Sequence, residues 1–448
     1  MNHLVRNLIL FCLVVVFLIV GGYLIITAQG LVFDFKNLRI TKTGGIYLKF
    51  TPADAILKIN EKLYPSPHGL LNNAVFIKNL LPGEYRITVS KTDYFSWEKD
   101  LLVQKGFVTS ATKIILWPKN FTSESAEKGV EDFWLTNKGL IYKGFNQNLY
   151  FKKQLLRGET VILNDPTSNF IVTTDKKSPF LIDLQNSKAS INLNELFNSL
   201  KQQQLGLPGN VPIKKFFVHP FSQGKILIMT KSSFYVLDYK RVALERLLTT
   251  STITAGAISN NEAFFADNRG NLLIYNLILK NSEVVNLNLP LIEKIKSNPD
   301  GDKILILSSD NELFFYNRSS KKLESISKSA RDFYFSPEQK RVALIGDDGK
   351  IIIFYIANYE SDEKKMKGSA FTLPPQINTE APNFYWLEEK SDYLSVLSGT
   401  DLIISELDSR SPINRYKIFE NVKKYFIQEN EASVLTNDGT LVRLNLAL

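Results

Sequence analysis

The chain has one cysteine and three histidines among its 448 residues, which removes several classes of site at once. Cys12 lies in the apolar N-terminal segment, and a lone cysteine excludes an intramolecular disulfide as well as tetrathiolate and Cys/His zinc patterns. His3, His68 and His219 show no metal-ligand spacing. The sequence therefore predicts no metal-binding residues.

Concentrated charge is also missing. The net charge of +9 is spread along the chain, without an arginine-rich block or a polylysine tail. Nucleic-acid binding proteins usually carry a basic stripe, so no nucleic-acid partner is expected. A solvated basic surface is the simpler interpretation of the excess, and contact with anionic lipid or polymer is the other.

Only one long hydrophobic run is present, from Leu8 to Ile26, and it carries no charge. As a helix it spans about 28 Å, close to the roughly 30 Å hydrocarbon core of a bilayer. A cleaved signal peptide has a shorter apolar core of about 7–15 residues and ends at small residues. Ile26 places a bulky residue there, so we expect residues 1–30 to contain an uncleaved membrane anchor.

The orientation of this anchor is less clearly marked. Arg6 precedes the run, while Lys36, Arg39 and Lys42 follow it, so the positive-inside rule is equivocal. A short basic N-terminus before a large C-terminal body is the usual layout of a signal anchor. We therefore expect a single-pass cell-membrane protein with a cytoplasmic N-terminus and residues 30–448 outside the cytoplasm.

Residues 43–118 contain short runs in which apolar and polar residues alternate, as in a sheet with one wet face. The clearest runs are Ile46–Phe50, Ala55–Ile59, Tyr85–Val89 and Lys113–Leu116. Turn residues separate them, including Thr51-Pro52 and Pro82-Gly83.

Three motifs in this segment resemble those of the PEGA domain, a small β-sandwich of bacterial and archaeal surface proteins. They are Pro52-Ala53-Asp54-Ala55, Leu80-Leu81-Pro82-Gly83-Glu84-Tyr85 and Lys91-Thr92-Asp93-Tyr94. The resemblance implies an extracytoplasmic, membrane-proximal module with a structural or envelope-contact role and without catalytic residues. Tyr94, Phe95 and Trp97 are candidates for a sugar-stacking platform, although Phe95 and Trp97 share a strand face and at least one is expected in the core.

A polar segment, residues 119–129, has little to bury and is predicted to be a linker. After it a unit of about 40 residues recurs, the period of β-propeller blades. Its clearest copies end at Tyr275, Tyr316 and Tyr355. Residues 130–448 are therefore predicted to form a seven- or eight-bladed β-propeller, which makes the whole chain all-β apart from its anchor.

Eight units are recognisable in this region. They open near Val130, Thr160, Lys214, Ile253, Ile292, Ala330, Pro382 and Val422. Strands such as Ile304–Leu307 are apolar throughout, which is expected when neighbouring blades cover both faces. Only Leu193–Gln204 has a helical pattern. The last unit, Tyr425–Leu446, supplies three strands, so we expect a segment just after the linker to complete its sheet.

Two turns of the repeats, Ser297–Lys303 and Ser336–Arg341, resemble the Ser-Pro-Asp-Gly-Lys turn of WD-like and Tol-type periplasmic propellers. This resemblance supports the fold and implies nothing about the ligand. The Trp-Asp dipeptide of intracellular WD repeats is absent from the expected strand ends.

Acidic turns are the remaining candidates for chemistry. Asp267–Gly270, Asp347–Gly349 and Asn437–Gly439 are candidates for paired glycosidase carboxylates. Tight hairpins also demand Asp-Gly and Asn-Gly, which is the simpler explanation. Asp300-Gly301-Asp302 lacks the alternating oxygen ligands of a calcium loop. No Gly-x-Ser-x-Gly elbow or Rossmann fingerprint occurs. The sequence thus predicts no catalytic residues and no cofactor.

These observations favour a membrane-anchored extracytoplasmic scaffold whose propeller binds a protein or a cell-envelope polymer. The alternative is a propeller enzyme that acts on envelope polysaccharide, and a third interpretation is a scaffold that faces the cytoplasm. Two insertions, residues 185–212 and 358–381, are predicted to shape the partner site, because loops on rigid scaffolds often carry recognition.

Overall fold

The computed structural model describes residues 3–28, 30–34, 38–65, 74–165, 168–187, 189–373, 384–387 and 391–446. Lys36, His68 and Pro382 lie outside these residues, as does part of the insertion 358–381. Strands dominate the described chain, as the sequence predicts.

The N-terminal helix α1 runs from His3 to Ala28. Its segment Arg6–Ile25 has a mean hydropathy of 3.1, is not buried against the rest of the chain, and is long and apolar enough to cross a membrane. A short hairpin follows, formed by β1 (Leu31–Asp34) and β2 (Arg39–Lys42).

Two small sheets follow the hairpin and pack face to face. Their strands are β3 Gly44–Thr51, β4 Ile56–Ile59, β5 Lys62–Leu63, β6 Ala74–Leu80, β7 Gly83–Ser90, β8 Trp97–Val103 and β9 Val108–Ile115. One sheet has the order β6-β3-β9 and the other β5-β4-β7-β8. Alternate residues point inward, so that Leu48, Leu57, Val89 and Leu101 share one buried core. We call this unit the sandwich.

The rest of the chain forms eight four-stranded antiparallel sheets, here called blades 1 to 8. The strand β10 Ser123–Glu127 precedes them. Blade 1 consists of β11 Val130–Thr136, β12 Gly139–Gly144, β13 Leu149–Phe151 and β14 Gln154–Leu156, and blade 2 of β15 Thr160–Leu163, β16 Phe170–Thr174, β17 Pro179–Asp183 and β18 Ser190–Asn192. Blade 3 consists of β19 Ile213–Val218, β20 Lys225–Thr230, β21 Ser233–Asp238 and β22 Ala243–Thr249, and blade 4 of β23 Ile253–Ile258, β24 Glu262–Asp267, β25 Asn271–Asn276 and β26 Ser282–Asn286.

Blades 5 to 8 repeat this pattern. Blade 5 consists of β27 Ile292–Ser297, β28 Lys303–Ser308, β29 Leu313–Asn317 and β30 Lys322–Ser327, and blade 6 of β31 Asp332–Phe335, β32 Arg341–Ile345, β33 Ile351–Tyr355 and β34 Ala370–Leu373. Blade 7 consists of β35 Phe384–Trp386, β36 Tyr393–Ser398, β37 Asp401–Glu406 and β38 Arg415–Phe419. Blade 8 consists of β39 Val422–Gln428, β40 Glu431–Thr436 and β41 Leu441–Asn445, with β10 as its fourth strand.

Hydrophobic clusters join each blade to the next and close the series into a ring. Blades 1 to 8 are connected in sequence by seven clusters. An eighth cluster, formed by Val130, Phe133, Leu435 and Leu441, packs blade 8 against blade 1. Eight sheets in cyclic contact are a β-propeller. Residues 304–307 are buried throughout, which confirms that the apolar strands are covered on both faces.

The ring is completed by β10, which lies antiparallel to β41 at the outer edge of blade 8. Ser123 is opposite Leu444 and Glu124 is opposite Arg443. A segment from before the first blade supplies the missing strand, as expected, but it lies within residues 119–129 and not just after them. Residues 123–127 belong to the segment predicted as a linker, so this segment also forms part of the propeller.

The predicted helix is confirmed as α2, Leu193–Leu205, between blades 2 and 3. Asn192 caps its N-terminus, since its side-chain oxygen accepts hydrogen bonds from the amides of Asn194 and Glu195. Gly206 ends the helix with a φ of 62°, in the left-handed region that glycine favours. Leu193, Phe197 and Leu200 bury its apolar face between the two blades.

Candidate functional site

The sandwich packs against one end of the ring. It contacts the connections between β37 and β38, between β33 and β34, and between β35 and β36. In an up-and-down blade these connections all lie at the end where the first strand finishes. The opposite end of the ring, where the first strand of each blade begins, points away from the sandwich.

The contact between sandwich and propeller is centred on a buried ion pair. Lys99 of β8 is 0% exposed, and its Nζ lies 3.0 Å from Oε2 of Glu406 at the end of β37. The same ammonium donates to the carbonyls of Arg410 and Pro412, each at 2.9 Å. The indole N–H of Trp97 donates to Oε1 of Glu406 at 3.1 Å. Burial raises the pKa of Glu406, while the Lys99 charge opposes that shift.

Further hydrogen bonds fix the orientation of the two units. The side chain of Asn414 accepts a hydrogen bond from the amide of Glu98 at 3.1 Å and donates one to the carbonyl of Glu98 at 2.9 Å. The Tyr393 hydroxyl accepts from the amide of Ile115 at 3.1 Å and donates to the carbonyl of Lys113 at 3.0 Å. Because these bonds reach the backbone of β8 and β9, the sandwich and the propeller form one rigid contact.

This contact changes two interpretations drawn from the sequence. Trp97 is 1% exposed and Phe95 packs on Tyr416 at 5.7 Å between ring centroids, so neither belongs to an open sugar-stacking platform. In the insertion 358–381, Asp362 accepts a hydrogen bond from the Thr112 hydroxyl at 3.0 Å. The segment around Asp362 therefore contacts the sandwich, whereas Met366 is 70% exposed and Lys367 pairs with Glu324 of blade 5.

The first strands of the blades line the axial channel, as the packing of β23 on β27 shows. Three lysines from blades 3 and 5 lie there, and two of them pair with one aspartate of blade 6. Nζ of Lys294 lies 2.6 Å and Nζ of Lys296 3.2 Å from the same Oδ1 of Asp332. Lys215 donates to the carbonyl of Gly256 at 3.2 Å. We call Lys215, Lys294, Lys296 and Asp332 the lysine cluster.

The electrostatics of the lysine cluster are perturbed by crowding. Burial lowers the pKa of Lys296 to about 7, with the charges of Lys294 and Lys215 contributing and that of Asp332 opposing. Burial and the charge of Lys294 also lower the pKa of Lys215. One carboxylate thus does not compensate three ammonium groups.

A matching arrangement joins blades 8 and 1. Nζ of Lys424 lies 2.6 Å from Oδ1 of Asp132 and 2.9 Å from the carbonyl oxygen of Phe133. Lys296 makes the equivalent bond of 2.7 Å to the carbonyl oxygen of Phe333. The repeat therefore places a lysine against the Asp-Phe pair of the next blade in both cases. Lys423 and Lys143 lie beside the first of these pairs together with Glu131, and Lys294 accompanies Lys296 in the second.

An aromatic cleft of about 480 Å³ lies at the sandwich end of the channel. It is lined by Tyr334, Phe384, Tyr385, Trp386 and Phe426 together with apolar neighbours. Burial raises the pKa of Tyr385 to about 12. Nζ of Lys296 lies 3.1 Å from the ring centroid of Tyr334, so the cleft and the lysine cluster adjoin.

The acidic turns singled out from the sequence are hairpin turns. Asp267 accepts from the amides of Arg269 and Asn271, each at 2.9 Å, and Asp348 accepts from the amide of Lys350 at 3.1 Å. Asp438 does the same for Thr440 at 3.2 Å. Each carboxylate is thus held by its own turn, as the hairpin explanation predicts.

Two other candidates are also turn residues. Asp302 accepts from the side-chain amide of Asn298 at 2.7 Å, and His219 Nδ1 accepts from the amide of Phe221 at 3.2 Å. Burial lowers the pKa of His219. Among the residues that the structure describes, no group of three or more His, Cys, Asp and Glu side chains is arranged to hold a metal ion.

An apolar surface surrounds the point where α1 ends. The Thr43 amide donates to the carbonyl of Gly30 at 2.7 Å, and the Gly106 amide donates to the carbonyl of Thr43 at 2.9 Å. These bonds bring the 104–108 turn beside the end of the helix, with Phe107 66% exposed. Leu38 and Ile40 at the start of β2, and Leu102, Phe107 and Val108 around the 104–108 turn, are all more than half exposed, and we call these five residues the basal surface.

Comparisons with known proteins found a family model and solved structures that match part of this chain. The family described as NUP159/214 beta propeller matches residues 238–434. Among solved structures, Hsv2 of Kluyveromyces lactis is 12% identical, with a TM-score of 0.45, over 65% of this chain and 100% of that one. Hsv2 of Kluyveromyces marxianus is 13% identical, with a TM-score of 0.47, over 65% of this chain and 100% of that one. No curated protein sequence matches significantly. The chain contains a β-propeller.

Proposed function

We propose that this chain is a single-pass membrane-anchored binding protein, which presents its propeller outside the cytoplasm to a protein or a cell-envelope polymer. The observation that carries the proposal is the fixed contact between sandwich and ring, together with the unburied apolar helix that precedes the sandwich. The unburied helix α1 leads through Gly30 into the sandwich, and the Lys99–Glu406 pair fixes the sandwich to blade 7. A propeller held in this way keeps one end towards the bilayer and leaves the other free.

The basal surface supports the anchoring. Soluble proteins rarely expose a contiguous set of large apolar side chains, and such surfaces mark contacts with membranes or proteins. Here the surface adjoins the end of an apolar helix and carries the basic residues Arg39, Lys42 and Lys105. Aromatic and basic side chains at the end of a membrane span are typical of the bilayer interface. The PEGA-like motifs imply the same membrane-proximal place.

The membrane anchoring is tested by three charges in the middle of α1. The fifteen Leu, Ile, Val and Phe residues from Leu8 to Ile26 favour insertion by about 4.5–9 kcal/mol, and each arginine near the helix centre opposes it by about 2.5–3.5 kcal/mol. We expect Val14→Arg/Phe17→Arg/Val20→Arg to move most of the chain from the carbonate-resistant membrane fraction to the soluble fraction, whereas Val14→Leu/Phe17→Leu/Val20→Leu stays in the membrane. Equal membrane retention of both variants would contradict the anchor.

The orientation is tested on intact cells. Protease added outside is expected to cleave the exposed loops of the propeller before the cells are permeabilised. Protection of the propeller until permeabilisation would place it in the cytoplasm and overturn this part of the proposal.

A further inference from the structure

The lysine cluster differs from its counterpart between blades 8 and 1 in its charge balance. Lys424 pairs with Asp132, and Lys143 beside it pairs with Glu131. In the lysine cluster, Asp332 pairs with both Lys294 and Lys296, and within the described part of the chain Lys215 has no carboxylate partner. Positive charge therefore exceeds negative charge in a confined channel even with Lys296, whose pKa is about 7, only partly protonated, and electrostatic interactions are stronger there than in bulk water.

Blade 4 contributes small residues between the lysines of blades 3 and 5. Its first strand, β23, presents Thr254, Ala255, Gly256 and Ala257 where other blades carry long or aromatic side chains. Lys215 of blade 3 reaches the backbone of blade 4, with its Nζ 3.2 Å from the Gly256 carbonyl oxygen. Lys294 and Lys296 of blade 5 lie on the other side of this strand, since β23 packs on β27.

The ammonium groups are placed to receive a ligand and not only to pack. Lys294 is 39% exposed and Lys296 25% exposed, so both are reachable by solvent from the channel. Lys215 donates only to a carbonyl oxygen. A carbonyl does not balance a full positive charge, whereas an added anion would.

We propose that Lys215, Lys294 and Lys296 bind an oxyanion, the phosphate or carboxylate group of a ligand, inside the axial channel. Lysine is a compact point charge with three donors and suits this role. The site lies near the middle of the channel, because Lys215 and Lys294 are each the third of six residues in their strands, and Lys296, the fifth, adjoins the aromatic cleft. The proposal rests on the binding function above and assigns the ligand a chemical class.

Binding is measured by isothermal titration calorimetry on the detergent-solubilised full chain, with sodium pyrophosphate and sodium citrate as probes at constant ionic strength. We expect saturable binding of at least one probe and none of chloride. Tighter binding of pyrophosphate assigns a phosphate ligand, and tighter binding of citrate a carboxylate ligand. The absence of saturable binding of both probes would overturn the proposal.

The residues are tested by Lys215→Met, with Lys424→Met as the control lysine of the same channel. Lys215 has no carboxylate partner in the described chain, so its removal leaves no buried acid unpaired. We expect Lys215→Met to weaken binding at least tenfold and Lys424→Met less than threefold. Lys294→Met, checked for an unchanged circular dichroism melt, should weaken it similarly. Equal affinities of Lys215→Met and Lys424→Met would overturn the assignment, while the membrane topology would stand on its own test.

Discussion

Replacement of Lys99 by methionine is expected to destabilise the chain by about 3–5 kcal/mol, because it leaves the buried carboxylate of Glu406 without a partner charge. Methionine fills a similar volume but leaves Glu406, which is 5% exposed, without its cation. It also leaves the carbonyls of Arg410 and Pro412 without their donor. The measurement is urea denaturation of the full chain, followed by tryptophan fluorescence from Trp97 and Trp117 at the contact.

Lys91 provides the matched control on the same sandwich. Its Nζ lies 2.8 Å from Oδ1 of Asp54, a side chain that is 69% exposed. Exposed pairs contribute about 0–1 kcal/mol, so Lys91→Met should change the free energy of unfolding little. A value for Lys99→Met as small as that for Lys91→Met would show that the sandwich is not fixed by this pair.

The pH dependence of the same variant follows from Glu406. Burial raises the pKa of this carboxyl in the folded chain above its unfolded value, so ionisation of Glu406 opposes folding at higher pH. Loss of the Lys99 charge raises the pKa further. The stability deficit of Lys99→Met should therefore shrink as the pH falls and Glu406 becomes protonated. The double variant Lys99→Met/Glu406→Gln should recover part of the loss at neutral pH.

Replacement of Glu124 by proline is expected to open the ring. The Asn445 amide donates to the carbonyl of Thr122, which makes these opposite residues a hydrogen-bonded pair. Hydrogen-bonded pairs alternate along an antiparallel ladder, so Glu124 and Arg443 form the next one and each donates its amide to the other's carbonyl. Proline removes the amide that faces β41 and disfavours the strand. We expect a loss of about 2–4 kcal/mol from the lost bond and its neighbours and a melting temperature lower by several degrees.

Glu124→Ala is the control for this variant, because it keeps the backbone amide and removes an exposed side chain. It should melt within about one degree of the native chain, as surface substitutions usually cost less than about 0.5 kcal/mol. If Glu124→Pro had the same melting temperature as Glu124→Ala, β10 would not contribute to the closure of the propeller.

The propeller itself was predictable because its pattern is local and repeated. Runs such as Ile304–Leu307 are apolar on both faces, and turns like Asp267–Gly270 mark hairpins within a unit. The predicted unit starts, for example Ile253 and Ile292, coincide with the first strands of blades. The blade number required the structure, since the seventh unit has a first strand of only three described residues, Phe384–Trp386.

The strand β10 shows why the linker was misjudged in part. Its residues are polar, and those described are mostly exposed, because an outermost strand has little to bury. Such a strand has no alternating pattern. Only the requirement that the last blade be completed points to it, and that requirement does not fix its position.

The sandwich contact and the lysine cluster could not be found from single segments. The sequence does give one indication at Lys99, because this residue takes one of the alternate positions of β8 that point into the core, between Trp97 and Leu101. A lysine in the apolar phase of an alternating strand predicts a buried partner, but Glu406 lies about 300 residues away. The lysines of the channel come from different repeats, and only alignment of the first strands brings their equivalent positions together.

Closure of the ring is the claim on which the channel and its ligand site depend, and a disulfide tests it most directly. In a Cys12→Ser background, Glu124→Cys/Arg443→Cys joins two exposed residues directly opposite each other in β10 and β41. Glu431 lies on β40, the strand beyond β41 as seen from β10. Two strand spacings add up to about 9–10 Å between Glu124 and Glu431, which exceeds the reach of a disulfide. Oxidation without denaturant should convert nearly all of the first pair to the cross-linked form and leave Glu124→Cys/Glu431→Cys reduced. Equal, low cross-linking of both pairs would contradict the closed eight-bladed ring.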